Sequence, residues 1–80
     1  MPGITHSRAH KALIAVLIAC RKEAGLEQAD LAKRCKWNRQ TVSQIETGIR
    51  GVQVAELPLL AKAFGISELT LYKRWLAFRS

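Results

Sequence analysis

An 80-residue chain has room for one domain built on one compact core. Thirteen Lys and Arg against six Asp and Glu give a net charge of +7 and an isoelectric point near 10.1. That balance favours a polyanion as partner, nucleic acid first and an acidic membrane surface second. The two cysteines and two histidines lack the spacing of a zinc site, so no metal and no cofactor is expected. The apolar run Ala12 to Cys20 is too short to cross a bilayer, which takes about 20 residues. No basic stretch precedes a cleavable apolar segment, so the expected location is the cytoplasm, beside the nucleoid, without a membrane partner.

Residues 1–7 contain Pro2 and Gly3 and show no periodicity; they read as a flexible arm, with Thr5 or Ser7 available to cap the helix that follows. The rest, 8–80, reads as a single helical domain. Helix one spans about Arg8 to Ala24, with Leu13, Val16, Leu17, Cys20 and Ala24 as its core stripe. His6 and His10 fall one turn apart if this helix begins early, and a frayed surface start accounts for them. Ile14, Ala15, Ile18 and Ala19 occupy positions where a surface helix carries charge. A helix apolar on all sides is normally buried, so a C-terminal segment or a second subunit is expected to cover this face. Cys20 and Cys35 both lie in apolar stripes and read as small core hydrophobes, although spacing leaves a disulfide open.

The segment from Gly25 to Arg50, GLEQADLAKRCKWNRQTVSQIETGIR, carries the functional signal. Leu26, Ala29, Leu31, Ala32 and Cys35 follow helical spacing, and Lys36-Trp37-Asn38 interrupts it. Asn38 is a good N-cap for a second helix, Arg39 to Glu46, and Gly48 can end it in the left-handed conformation. Two short helices with a tight connection make a helix-turn-helix. On the second, Val42 and Ile45 face inward, while Arg39, Gln40, Ser43, Gln44 and Thr47 face out, free of acids over two turns. A purely solvated face normally mixes Glu with Lys. Gln instead matches the adenine edge and Arg the guanine edge in the major groove, so this face is expected to read bases.

A linker, Ile49 to Gln53, leads to helix four at about Glu56 to Phe64. Pro58 sits near its start, where a missing N–H is tolerated, Leu57, Leu60, Ala61 and Phe64 point inward, and Gly65 closes it. Ser67 caps helix five, Glu68 to Phe78, with Leu69, Tyr72 and Leu76 as the expected inward stripe, flanked by Leu71, Trp75 and Phe78. No strand-like alternation is present. The expected fold class is all-α with five helices.

From Leu17 to Leu71 the chain resembles the lambda-repressor-like, Cro/C1-type (XRE) helix-turn-helix family of bacterial and phage transcription regulators. CRKEAGLEQADLAKRC resembles the family's junction of helices one and two, NRQTVSQIETGIR its recognition helix and following turn, and LLAKAFGIS its fourth helix. The resemblance implies a five-helix lambda-repressor-like fold with the helix-turn-helix at helices two and three, and sequence-specific binding of double-stranded DNA. It assigns Gln28 to a phosphate and to bracing the recognition helix, and Arg39, Gln40, Ser43 and Gln44 to base edges or flanking phosphates. Arg50, with backbone N–H groups around Gly48 to Arg50, and Thr47 fall on the phosphate side, and Arg21 and Glu46 match a structural ion pair.

Three departures stand out. Lys36 replaces a frequent glycine, which implies a strained or reshaped turn and adds a cation beside the DNA. Trp37 replaces a smaller apolar residue and reads as a core plug. Glu27 takes a capping position usually held by Ser, Thr or Asn.

The surplus apolar residues suggest a homodimer through Ile14, Ile18, Leu71, Trp75 and Phe78, set on a palindromic operator. The alternative is a protein-interaction module, such as an antitoxin, anti-activator or polymerase-binding adaptor, working on a protein partner through an exposed apolar patch. An enzyme is not expected, since no Ser/His/Asp or Cys/His set, carboxylate pair or Gly-rich phosphate loop occurs.

Overall fold

The computed structural model describes residues 7–79, and the statements below concern those residues. Five α-helices form, with no strand among the described residues: α1 (Arg8–Glu23), α2 (Gln28–Cys35), α3 (Arg39–Glu46), α4 (Leu57–Phe64) and α5 (Glu68–Arg79). A single 3-10 turn, Val54–Glu56, leads into α4, so regular structure resumes slightly before the expected start. The expected cap Thr5 and His6 lie outside the described residues.

Local chemistry explains each boundary. Ser7 caps α1, its Oγ accepting the His10 N–H at 3.0 Å. Asn38 caps α3 by accepting from the Thr41 N–H at 2.9 Å and the Thr41 hydroxyl at 3.1 Å. At the start of α2 the Asp30 carboxylate accepts the Glu27 N–H at 2.9 Å, so Asp30 closes the turn from inside the helix. Gly48 and Gly65 take φ of 81° and 78° just past α3 and α4, the left-handed geometry that leaves glycine unstrained.

The core joins Leu13, Val16, Leu17 and Cys20 of α1 to Leu31, Ala32 and Cys35 of α2 and Val42 and Ile45 of α3. It is completed by Leu60, Ala61, Ala63 and Phe64 of α4 and Leu71 of α5. Ala24 and Ala29, read as core-facing, are exposed, since Ala24 lies beyond the last turn of α1 and Ala29 on the outer side of α2. Both cysteines are buried and unbonded. Burial pushes both thiols above their ordinary values, which keeps them protonated and inert.

α5 packs on α1 and covers its second apolar face in part, leaving Ile14, Ala15 and Ile18 part-buried and Ala19 exposed; its rotation differs from the expected one. Leu71 is 1% exposed and Trp75 part-buried, while Leu69 and Tyr72 are 60% and 46% exposed. Because α5 is apolar on several sides, periodicity alone did not choose its inward face. A long-range hydrogen bond helps fix it: the Trp75 indole N–H donates to the Ala9 carbonyl at 2.8 Å. Leu71 is therefore a core residue and is not available to a second subunit. Ile14 and Ile18 are part-buried, and Phe78 remains 62% exposed.

His10 corrects the reading of a frayed surface start. It is 7% exposed, and its Nε2 has no hydrogen-bond partner among the described residues. Burial lowers its pKa below the ordinary value. The unfolded chain then binds a proton more readily than the folded one, so stability is full above about pH 6.5 and declines as the pH falls through it. Urea midpoints measured at pH 7.5 and pH 5.5 are expected to drop at the lower pH, and His10→Leu should remove most of that difference.

Candidate nucleic-acid interface

The outward side of α3 presents Arg39 and Gln40 exposed, with Ser43 and Gln44 part-buried. None of these four side chains is engaged in a hydrogen bond with the described residues. Their donors and acceptors are therefore free for an external partner. Thr47 is also exposed, but its hydroxyl donates to the Ser43 carbonyl at 2.9 Å and so closes the end of α3.

The other side of α3 is fixed. Val42 and Ile45 are 1% and 3% exposed. Glu46, the one acid of the helix, points away from the reading face into an ion pair: Arg21 Nε donates to its Oε2 at 2.7 Å and Arg21 Nη2 to its Oε1 at 3.2 Å. Gln28 Nε2 adds a third bond to Oε1 at 2.9 Å, and Arg21 Nη1 donates to the Leu26 carbonyl at 2.8 Å. One carboxylate thus ties α3 to α1 and to the first residue of α2. The same network explains the acid-free outer face, since the helix's negative charge is neutralised inside.

The loop after α3 departs from the sequence reading. The backbone N–H groups of Gly48, Ile49 and Arg50 donate to Ile45 and Gln44 carbonyls at 3.2, 2.9 and 3.1 Å, so they finish the helix rather than stand open to a phosphate. The Arg50 guanidinium is also committed. It meets Glu56 at 2.5 and 3.1 Å, donates to the Gly51 carbonyl at 3.0 Å, and lies 5.5 Å from the Trp37 ring centroid. This pairing holds the Glu56 carboxyl below its usual range. Trp37 packs against the core from the other side, its exposed ring face covered by Arg50, which fits a plug and not a base-stacking platform.

Glu56 is the bracing residue that sequence reasoning missed. Its signal was the Gln53-x-x-Glu56 spacing of a reciprocal cap, obscured because Gln replaces the usual Ser or Thr. The Gln53 N–H does donate to Glu56 Oε1 at 2.9 Å.

Lys36 is exposed and adopts φ 59° and ψ 36°, the one non-glycine residue with positive φ. The turn keeps the left-handed shape a glycine would give it and stores the cost of a side chain there.

A short helix braced by two others, with an uncommitted Arg/Gln face in a strongly basic chain, fits the DNA-binding helix-turn-helix class. Comparison narrows this. A helix-turn-helix family model, HTH_3, matches residues 17–71, and the chain belongs to that XRE-type family of DNA-binding regulators, which are not enzymes. No curated protein matches the sequence itself. Among solved structures, the wild-type restriction-modification controller protein C.Esp1396I is 25% identical, with a TM-score of 0.84 over 90% of this chain and 92% of that one. Point variants of that controller give TM-scores of 0.81 to 0.83. ClgR, the clp gene regulator from C. glutamicum, is 23% identical with a TM-score of 0.76, over 86% of this chain and 90% of that one; it shares the fold. No helix among the described residues is long and apolar enough to cross a membrane.

Two stability measurements check these assignments. Arg21→Met strands a carboxylate that is 8% exposed and should cost about 3 kcal/mol, and adding Glu46→Leu should recover more than half of it. Lys36→Gly should raise the urea-unfolding free energy by up to about 1 kcal/mol, the relief of left-handed strain outweighing glycine's larger backbone entropy.

Proposed function

We propose that the chain is a transcription regulator that binds a palindromic operator in double-stranded DNA as a homodimer, with α3 in the major groove. The observation that carries this is the face of Arg39, Gln40, Ser43 and Gln44: four side chains able to hydrogen-bond base edges, uncommitted within the described residues, on a helix clamped from behind. Arg suits guanine and Gln adenine, each bidentate contact being worth about 1–3 kcal/mol of discrimination. Gln28, Lys36 and Thr47 flank the face as phosphate contacts, and Arg50 contributes by holding the loop. Two such helices in a dimer would meet successive grooves about 34–36 Å apart.

The groove between α1 and α5, where Ala15, Ala19, Ala77 and Phe78 stand beside the Glu23–Arg74 ion pair, supports a dimer surface there, together with the part-buried Ile14, Ile18 and Trp75 of the same two helices. Its mostly apolar lining and the exposed Phe78 ring fit burial against a second copy. Occupancy over a promoter then blocks or recruits polymerase in the cytoplasm, with protein concentration as the control. The likeness to a restriction-modification controller supports a circuit of that kind.

Selection from a random duplex library tests the reading. The wild-type chain should enrich a two-fold symmetric sequence. The triple variant Arg39→Ala, Gln40→Ala, Gln44→Ala should enrich none, while keeping weak, salt-sensitive attraction to any duplex. Enrichment of the same sequence by both proteins would refute base reading by α3. Phe78→Glu should sediment as a monomer and bind the enriched sequence at least tenfold more weakly; an unchanged mass would rule out that surface.

A further inference from the structure

The ion pairs of this chain are distributed unevenly. Glu46, Glu56 and Glu23 neutralise Arg21, Arg50 and Arg74, whereas the cations at the rim of the space between α2 and α4 belong to none of these pairs. There, Arg34, Lys36 and Lys62 rim a depression of about 480 Å³ whose remaining lining is Cys35, Leu59 and Ala63. All three cations are exposed, Cys35 and Ala63 are buried, and Leu59 is part-buried. None of the three cations takes part in a salt bridge among the described residues. Arg34 is also pre-positioned: its Nη1 donates to the Ala63 carbonyl at 2.9 Å, which fixes the guanidinium at the rim with its other N–H groups unspent.

We infer that this α2–α4 groove is a docking site for an acidic peptide segment of a partner protein, one carrying an apolar side chain that enters between Leu59 and Ala63. One tethered guanidinium, Arg34, and two lysines around an apolar floor complement carboxylates flanking a leucine-like anchor. The volume admits a few side chains and not a folded domain. A phosphodiester backbone suits the rim but not the floor, because phosphate oxygens gain nothing from an alkyl surface. The groove uses no member of the base-reading face and shares only Lys36 with the proposed operator contacts, which is why Arg34 and Lys62 are the cations to test. Such a site would let a DNA-bound regulator hold a second protein, whatever the DNA sequence under it.

The test uses two synthetic twelve-residue peptides of Asp and Glu, one with two central leucines and one with serines in their place. With 15N-labelled full chain, the leucine peptide should shift amide signals of Leu59, Lys62 and Ala63 and bind at least tenfold more tightly than the serine peptide. Arg34→Glu with Lys62→Glu should weaken it at least tenfold, with a wild-type spectrum elsewhere showing that the fold is intact. Arg39→Ala with Gln44→Ala should leave it unchanged. Equal binding of the two peptides, or shifts centred elsewhere, would overturn the proposal. So would a loss of affinity for all duplexes in the Arg34→Glu, Lys62→Glu variant as large as its loss for peptide, which would make the groove a phosphate track. Failure here leaves base reading by α3 untouched, because the library selection reads different side chains.

Discussion

The Glu46 carboxylate is the point through which the architecture becomes specific. α3 is only eight residues long, too short to hold a helical conformation alone in water. Hydrophobic contact through Val42 and Ile45 keeps it folded but would tolerate sliding and rotation. Three directed bonds from Arg21 and Gln28 do not. Because the Arg21 fork also holds the Leu26 carbonyl, the α1–α2 corner, the start of α2 and the end of α3 share one set of coordinates. A buried ion pair contributes little net stability when its desolvation is counted; here its contribution is to orient α3.

Most of this design was legible from residue types and spacing. Asn38 as cap, Gly48 as terminator, Val42 and Ile45 as the buried pair and the acid-free outer stripe all follow from local rules that tertiary structure had no reason to overrule. The Arg21–Glu46 partnership was implied by family resemblance and not by spacing, since nothing local links positions 25 residues apart. What failed were choices made by packing. α5 offers apolar residues on several sides, so which of Leu69 or Leu71 turned inward depended on the covering surface of α1 and on one indole hydrogen bond. His10 reads as polar and terminal, yet it is buried. Arg50 reads as a cation for DNA, yet Glu56 and Trp37 claim it, a contact that only the 3-10 turn brings about.

Charge is arranged as deliberately as shape. The acids that form salt bridges sit where cations must be held still, behind α3, under its following loop and beside α5. The remaining cations are left to act outward. A net charge of +7 therefore understates the contrast between a quiet, neutralised framework and an unneutralised surface. Around such a framework, attraction to polyanions is general, while discrimination among sequences would be left, on the function proposed above, to a few residues of α3.

The Trp75–Ala9 hydrogen bond joins positions 66 residues apart, and Leu71 seals the same face of α1. During synthesis on the ribosome, α1 emerges before α5 with that face bare and must wait for some 66 further residues before it is covered. Until α5 is made, the part of α1 that it covers is an apolar surface in need of shielding. A regulator whose level sets its output would then have its active amount limited by the completion of each chain as well as by the number of messages.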